Sequence, residues 1–392
     1  MNKYSLLLLS IFALTFSHVK AQNDKDFFSF LGKQKMTAKE YIIDLFKTKD
    51  IVLFSEGNHA EIQQYNLLLE VIKDPYFVEN VGAIYLEVVP INHSKTINSF
   101  LNTEGYDSIQ AYNETTKLYQ LGCIFHLWNC YSYPWLVYNL YKFNETLDKA
   151  NKMHLYGCDM EFDWTNCKTK EDYEQIYPLF EVRDSIMAEN FINQFNNIQQ
   201  SRNGKKKALI IMNSRHGYLK DTHRAENEVR KNTGRYLHDK YKNNIASVFM
   251  MSPGHPNNWE EYTLVHNGKW DAIFELTGKT NTGFNFKNSP FGKDKFDQTP
   301  VGWSINKYRY QDVYTGMVYY KPIEEHLLKR GWDKAITDEF KPELIRRMRI
   351  MGFDEETIKN ELIIENTVRT QQHYNIEEFR KKIDFWKNKL KN

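Results

Sequence analysis

The segment Ile51-Val52-Leu53-Phe54-Ser55-Glu56-Gly57-Asn58-His59 decides how the chain is to be read. Four consecutive apolar residues predict a strand buried on both faces, the signature of a parallel sheet, and Ser55 to Asn58 supply the polar, glycine-containing turn that ends it. Ile62, Tyr65, Leu68, Leu69 and Ile72 then recur at helical spacing. Upstream, Thr37 and Glu40 form a capping box ahead of Tyr41, Ile42, Leu45 and Phe46, so a helix also precedes the strand.

The same grammar repeats. Short apolar runs from Ala83 to Leu86, Met153 to Tyr156, Ala208 to Met212, Ile245 to Met250 and Val313 to Tyr320 are predicted strands. The stretch from about Asn92 to Ala150 is long and helical in pattern, as a crossover between parallel strands requires. Asn267-Gly268, flanked by Tyr262 to His266 and Trp270 to Leu276, predicts a hairpin at a sheet edge. After Tyr320 four helices are expected: Ile323 to Arg330, Pro342 to Met351, Glu355 to Glu365 and Ile376 to Leu390. The fold class is therefore α/β: a central, mostly parallel sheet flanked by helices in a domain over 22–321, with a helical insertion over about 92–150 and a C-terminal helical extension over 322–392.

In an open α/β sheet ligands bind beyond the carboxyl ends of the strands. Polar residues collect there. The first strand delivers Ser55, Glu56 and His59, the second Glu87, the third Asp159 and Glu161, and the fourth Asn213 and His216. A neutral imidazole takes a proton from water near neutral pH, and a neighbouring carboxylate orients the ring and stabilises the imidazolium that forms. Glu56 or Glu87 fills that orienting part for His59, and Arg183 suits a substrate carboxylate or a developing oxyanion. No G-x-S-x-G elbow occurs, which argues against a serine nucleophile of the α/β-hydrolase type. The same His and carboxylates are a donor set for zinc or another divalent ion, but no two of these His stand at i, i+4 spacing, so no metal ligand is assigned and no cofactor is required. His223, His238, His255 and His266 read as surface or turn residues.

Residues Met1 to Ala21 read as a signal peptide, with Lys3 before the apolar run Leu6 to Phe16 and Val19-Lys20-Ala21 at the cleavage positions. The run is too short for a permanent membrane span, so a secreted or periplasmic protein without a membrane anchor is expected. Loss of Lys3 and Lys20 takes the formal charge from +2 to zero, which removes any electrostatic case for a nucleic-acid partner. Cys123, Cys130, Cys158 and Cys167 would meet an oxidising compartment, and at least one bridge is expected among them. Aromatic content is 15%, which suits a heavily packed core or a stacking cleft.

From Thr37 to Lys321 the ordered motifs resemble the erythromycin-esterase-like family, a branch related to the haem-binding ChaN-like and the TraB-like folds. Ser55-Glu56-Gly57-Asn58-His59 follows that family's Gly-Glu-x-x-His except at its first position, and Tyr85-Leu86-Glu87 fits its second strand end. Pro134-Trp135 ahead of a helix reaching Asn144, Tyr156-Gly157-Cys158-Asp159-Met160, Val182 to Asn190, Ala208 to His216 and Gly234-Arg235-Tyr236-Leu237 continue the series. The resemblance implies a deep cleft in which His59 is the general base for water attack on an ester or lactone, with Glu56, Glu87, Arg183 and His216 around it. Asp159, Asn213, Tyr131 and Trp135 are the expected substrate contacts. Asn213 stands where the family has the first His of His-Asn-x-His, which puts a metal site and macrolide-ester activity in doubt. The related folds leave two alternatives: a haem- or ligand-binding protein, and a metal-dependent peptidase.

Overall fold

In a computed structural model the described residues are 24–128, 130–200, 205–224, 228–256, 261–299, 303–304, 308–372 and 374–391. The expected signal peptide lies outside them. The strands, numbered along the chain, are β1 (Ile51–Glu56), β2 (Ala83–Pro90), β3 (His154–Asp159), β4 (Ala208–Asn213), β5 (Thr222–Arg224), β6 (Glu228–Arg230), β7 (Ile245–Met250), β8 (Asn281–Asn285), β9 (Trp303–Ser304), β10 (Gly316–Tyr320), β11 (Leu328–Arg330) and β12 (Arg369–Gln371).

Seven of them form one sheet in the order β3-β2-β4-β1-β7-β10-β8, parallel throughout except for β8, which runs antiparallel to β10 at the edge. The chain is thus α/β with a mostly parallel sheet and flanking helices. β1 is central and buried at every residue. Its side chains alternate between two cores, as the two-residue period of a strand demands. Ile51 and Leu53 join Tyr85 and Ile210 beneath Met187, Phe191 and Phe195 of the helix Tyr177–Gln200. Val52 and Phe54 join Ile84 and Leu209 on the other face, packed by Ile42, Leu68, Ile97 and Leu136 from four helices. Covering both faces explains why the strands read as continuous apolar runs. The Thr37–Glu40 capping box forms as expected at the helix Ala38–Thr48.

The interval between β2 and β3 holds the helices Ser94–Asn102, Ser108–Leu121 and Ser132–Asn144. Three secondary-structure expectations fail. The hairpin around Asn267-Gly268 is a 3-10 turn leading into the helix Lys269–Leu276. Both residues do adopt positive φ, but Trp270, Ile273 and Phe274 fill one core while Ala272 packs with Phe379 and Ile383 in another, and a helix of eight residues is too short to display its period. Ile323 to Arg330 is not a helix but a short turn followed by β11, which pairs antiparallel with the distant β12. The segment from Val313 to Tyr320 becomes strand only at Gly316, because Tyr310–Val313 is a helical turn.

The remaining expected helices form as Lys341–Ile350, Glu355–Glu365 and Ile376–Lys391. No disulfide joins the four cysteines, which are free thiols. Cys158 packs under the sheet with Met187, whereas Cys167 lies in a separate cluster with Trp164 and Tyr173. Among the described residues, no helix is long and apolar enough to cross a membrane.

Candidate active site

Because β1 to β4 are parallel, their carboxyl ends deliver Glu56, Glu87, Asp159 and Asn213 to one edge of the sheet. Glu56 pairs in register with Asn213. Gly57 follows where the turn crosses tightly against the segment after β7: a Cβ there would stand 2.1 Å from Ser252 Oγ, so only glycine passes. Asn58 holds the turn through its side chain, accepting from Ala60 N at 2.9 Å. His59 is then carried back over Glu56.

His59 Nδ1 lies 2.5 Å from Glu56 Oε1, a short hydrogen bond that fixes the ring. Gln64 steadies the carboxylate from behind, donating to Glu56 Oε2 at 3.3 Å and to the Asn58 carbonyl at 2.7 Å. The free nitrogen, Nε2, faces Glu87 Oε2 at 3.9 Å, too long for a direct hydrogen bond. Trp128 meets the ring edge-on at 5.1 Å.

Glu87 is the hub. It sits in a bulge of β2, where the register against β3 shifts between Leu86 and Pro90, and bulges re-aim side chains beside functional sites. Its Oε1 accepts from Arg183 Nη1 at 3.2 Å and lies 3.2 Å from His216 Nε2, while its Oε2 accepts from the Asn213 backbone at 2.7 Å. Arg183 in turn grips Asp159 through two parallel bonds, Nε to Oδ1 at 2.8 Å and Nη2 to Oδ2 at 2.9 Å. His216 Nδ1 meets Asp184 Oδ1 at 2.7 Å, and the Thr233 backbone and hydroxyl bond the same oxygen at 2.7 and 2.8 Å. Buried charges of this kind persist only when each is paired and hydrogen-bonded.

The electrostatics follow from those contacts. Burial disfavours the His59 imidazolium, but Glu56 and Glu87 outweigh it and raise the pKa. His216 behaves alike: burial opposes its charge, and Asp184 and Glu87 prevail. Burial alone would raise Glu87, yet His216, His59 and Arg183 hold its carboxyl well below the usual range. His216 Nε2 is also 3.2 Å from Arg215 Nε. It accepts from Arg215 when neutral and donates to Glu87 when charged, so the raised pKa favours the second state.

His59, Trp128 and Arg215 stand between two lobes of a cleft. One, of about 340 Å³, is lined by Glu87, Arg183, Asp184, His216, Phe125 and Lys231 among others; the second, of about 350 Å³, by Asn58, Asn213, Ser252, His255, Tyr262 and Gln298 among others. No family model and no curated protein matches the sequence. An erythromycin esterase carrying a His-to-Asn substitution, in its open conformation, superposes with a TM-score of 0.50 at 10% identity, over 72% of this chain and 94% of that one. The likeness is one of fold. A Bacillus cereus protein gives 0.47 at 13% identity over 76% of this chain and 98% of its own, and the haem-binding ChaN of Campylobacter jejuni 0.32 at 13% over 54% and 85%.

The structure brings Glu56, His59, Glu87, Asp159, Arg183, Asn213 and His216 into one connected cluster. It does not bring Tyr131 and Trp135 to the cleft. Tyr131 packs on Trp332 at 5.5 Å and under Lys329, and Trp135 backs onto the core. Phe125 and Trp128 line the first lobe instead. Glu161 is exposed. His255, set aside as structural, lines the second lobe. Asp184 and Arg215 join the site without a sequence signal of their own beyond adjoining Arg183 and His216.

Glu56, His59 and Glu87 offer ligand atoms within 4.8 Å of one another, the spacing of a possible cation site. The set fits a metal poorly. His59 Nδ1 is bonded to Glu56, and Glu87 is already held by Arg183 and the Asn213 backbone. A cation would have to break these contacts and sit beside a guanidinium.

Proposed function

We propose that the protein is a hydrolase of carboxylic esters or lactones in which His59 activates water. One observation carries this reading: His59 is fixed through Nδ1 by Glu56 and presents Nε2 to the junction of two lobes, opposite Glu87. Water bound there gives a proton to Nε2 as its oxygen attacks the carbonyl carbon, and Glu56 stabilises the imidazolium. Arg215, which lines both lobes, is placed to stabilise the oxyanion. When the tetrahedral intermediate collapses the carbon–oxygen bond to the leaving group breaks, and the alkoxide recovers the proton from His59.

Two lobes of similar volume suit a small-molecule substrate with a sizeable group on each side of the scissile bond. The first lobe, with Arg183, Lys231 and Asp184, favours a polar half, and the second takes the other half beside His255 and Tyr262. Export after removal of the leader belongs to the same reading. The test is a panel of esters and lactones offered to the mature chain, with haem titrated separately and followed by absorbance. Turnover of one ester class above buffer is expected. A panel left untouched, with stoichiometric haem binding instead, overturns the reading in favour of ligand binding without turnover.

A further inference from the structure

We propose that His126, Glu361 and Glu365 form a second, structural site for one divalent cation of the zinc class, independent of the cleft chemistry. Glu361 and Glu365 lie four residues apart on the helix Glu355–Glu365, so both carboxylates leave the same face. His126 comes to them from the loop between the helices Ser108–Leu121 and Ser132–Asn144. Its Nε2 is 3.8 Å from Glu361 Oε2 and 3.6 Å from Glu365 Oε1, and the three ligand atoms all lie within 4.8 Å of one another.

Those separations are too long for hydrogen bonds. They are close to what a metal would impose: donors about 2.1 Å from a tetrahedral zinc stand about 3.4 Å apart. The polar atoms are also orphaned. His126 is 8% exposed and Glu365 not at all, yet His126 Nδ1, His126 Nε2 and Glu365 Oε1 are buried without a hydrogen-bond partner. A buried carboxylate oxygen and imidazole nitrogen left unpaired are costly, and a shared cation satisfies His126 Nε2 and Glu365 Oε1 together. Among the ion pairs of the described residues, Glu361 and Glu365 meet no cation but His126. Two carboxylates and a neutral imidazole balance a doubly charged ion, and imidazole with carboxylate oxygen is a zinc donor set with room for a fourth ligand.

An outer shell exists as well. The Tyr119 hydroxyl is 3.3 Å from Glu365 Oε2 while it donates to the Trp128 carbonyl at 2.6 Å. The cation would therefore tie the helix Glu355–Glu365 to the loop whose Phe125 and Trp128 wall the cleft.

The experiment is zinc titration of chelator-stripped full-length protein against a competing metal dye, with elemental analysis after dialysis. One equivalent is expected in the wild type and in His59→Ala. Glu361→Gln, a part-exposed and near-isosteric change, should weaken zinc by more than the roughly 10–100-fold that loss of an outer-shell partner costs, with His126→Gln as the second variant. Zinc should also raise the unfolding temperature of the wild type and leave that of Glu361→Gln unmoved. Equal affinity in wild type and Glu361→Gln, absence of bound zinc in the wild type, or zinc lost on His59→Ala instead would each overturn the proposal.

Discussion

His59 sits between two carboxylates, and that placement sets both its basicity and the pH at which it works. Only the neutral ring accepts a proton from water, so kcat/KM for ester hydrolysis should rise with pH along a limb whose apparent pKa lies above the ordinary imidazole value of 6.5. Glu87 is one of the two groups that raise it. Glu87→Gln should therefore shift the limb to lower pH, and a limb that stays put or moves upward contradicts the assigned geometry. Stability runs the other way. The raised pKa of His216 contributes stability fully below 6.5 and loses it as pH climbs through the folded value. The depressed pKa of Glu87 contributes stability above 4.5 and loses it as pH falls through its lower folded value. The cluster therefore supports the fold best in the window between 4.5 and 6.5, on the acid side of the activity limb, a separation that unfolding curves and rate profiles measure independently.

At the scale of elements, the bulge in β2 is the device that turns Glu87 into the cleft, and Gly157 of β3 makes room for it. A Cβ at Gly157 would meet the Val89 carbonyl oxygen at 2.3 Å and that of Pro90 at 2.5 Å, both backbone atoms that no rotamer change can move. Gly157→Ala should cost about 1–3 kcal/mol, as overpacking does, and should reduce hydrolysis by displacing Glu87; a variant with wild-type urea midpoint and rate would contradict the role given to the bulge. The parallel strands were legible because burial on both faces leaves uninterrupted apolar runs, and β7 has the bounds its composition indicates. β8 was not legible: Asn281, Gly283 and Asn285 are poor strand formers, held in place by pairing with β10. The strand ends disclosed Glu56, Glu87, Asp159 and Asn213, since topology alone places them together. Asp184 belongs to a helix and reaches His216 only through tertiary packing, and Phe125, His126 and Trp128 lie in an irregular loop with no period to read.

Across the whole molecule, the C-terminal region completes the support of the site. Lys329 donates to the Ala60 carbonyl at 2.8 Å, Ile62 to that of Leu327 at 3.3 Å, and Glu61 bridges to Leu328, so the turn bearing His59 is stitched to the segment around β11. The helix Ile376–Lys391 closes the far side, packing Ile383 on Ala272 and pairing Arg380 with Glu275 at 2.7 Å. Cleft, sheet edge and tail thus converge on one imidazole. The most direct measurement is the hydrolysis rate of the best ester from the panel, compared between wild type and His59→Ala preparations with matching circular dichroism. Removing the general base is predicted to lower kcat by about 10²–10⁴-fold with the fold intact; a His59→Ala enzyme that retains the wild-type rate would contradict water activation at His59.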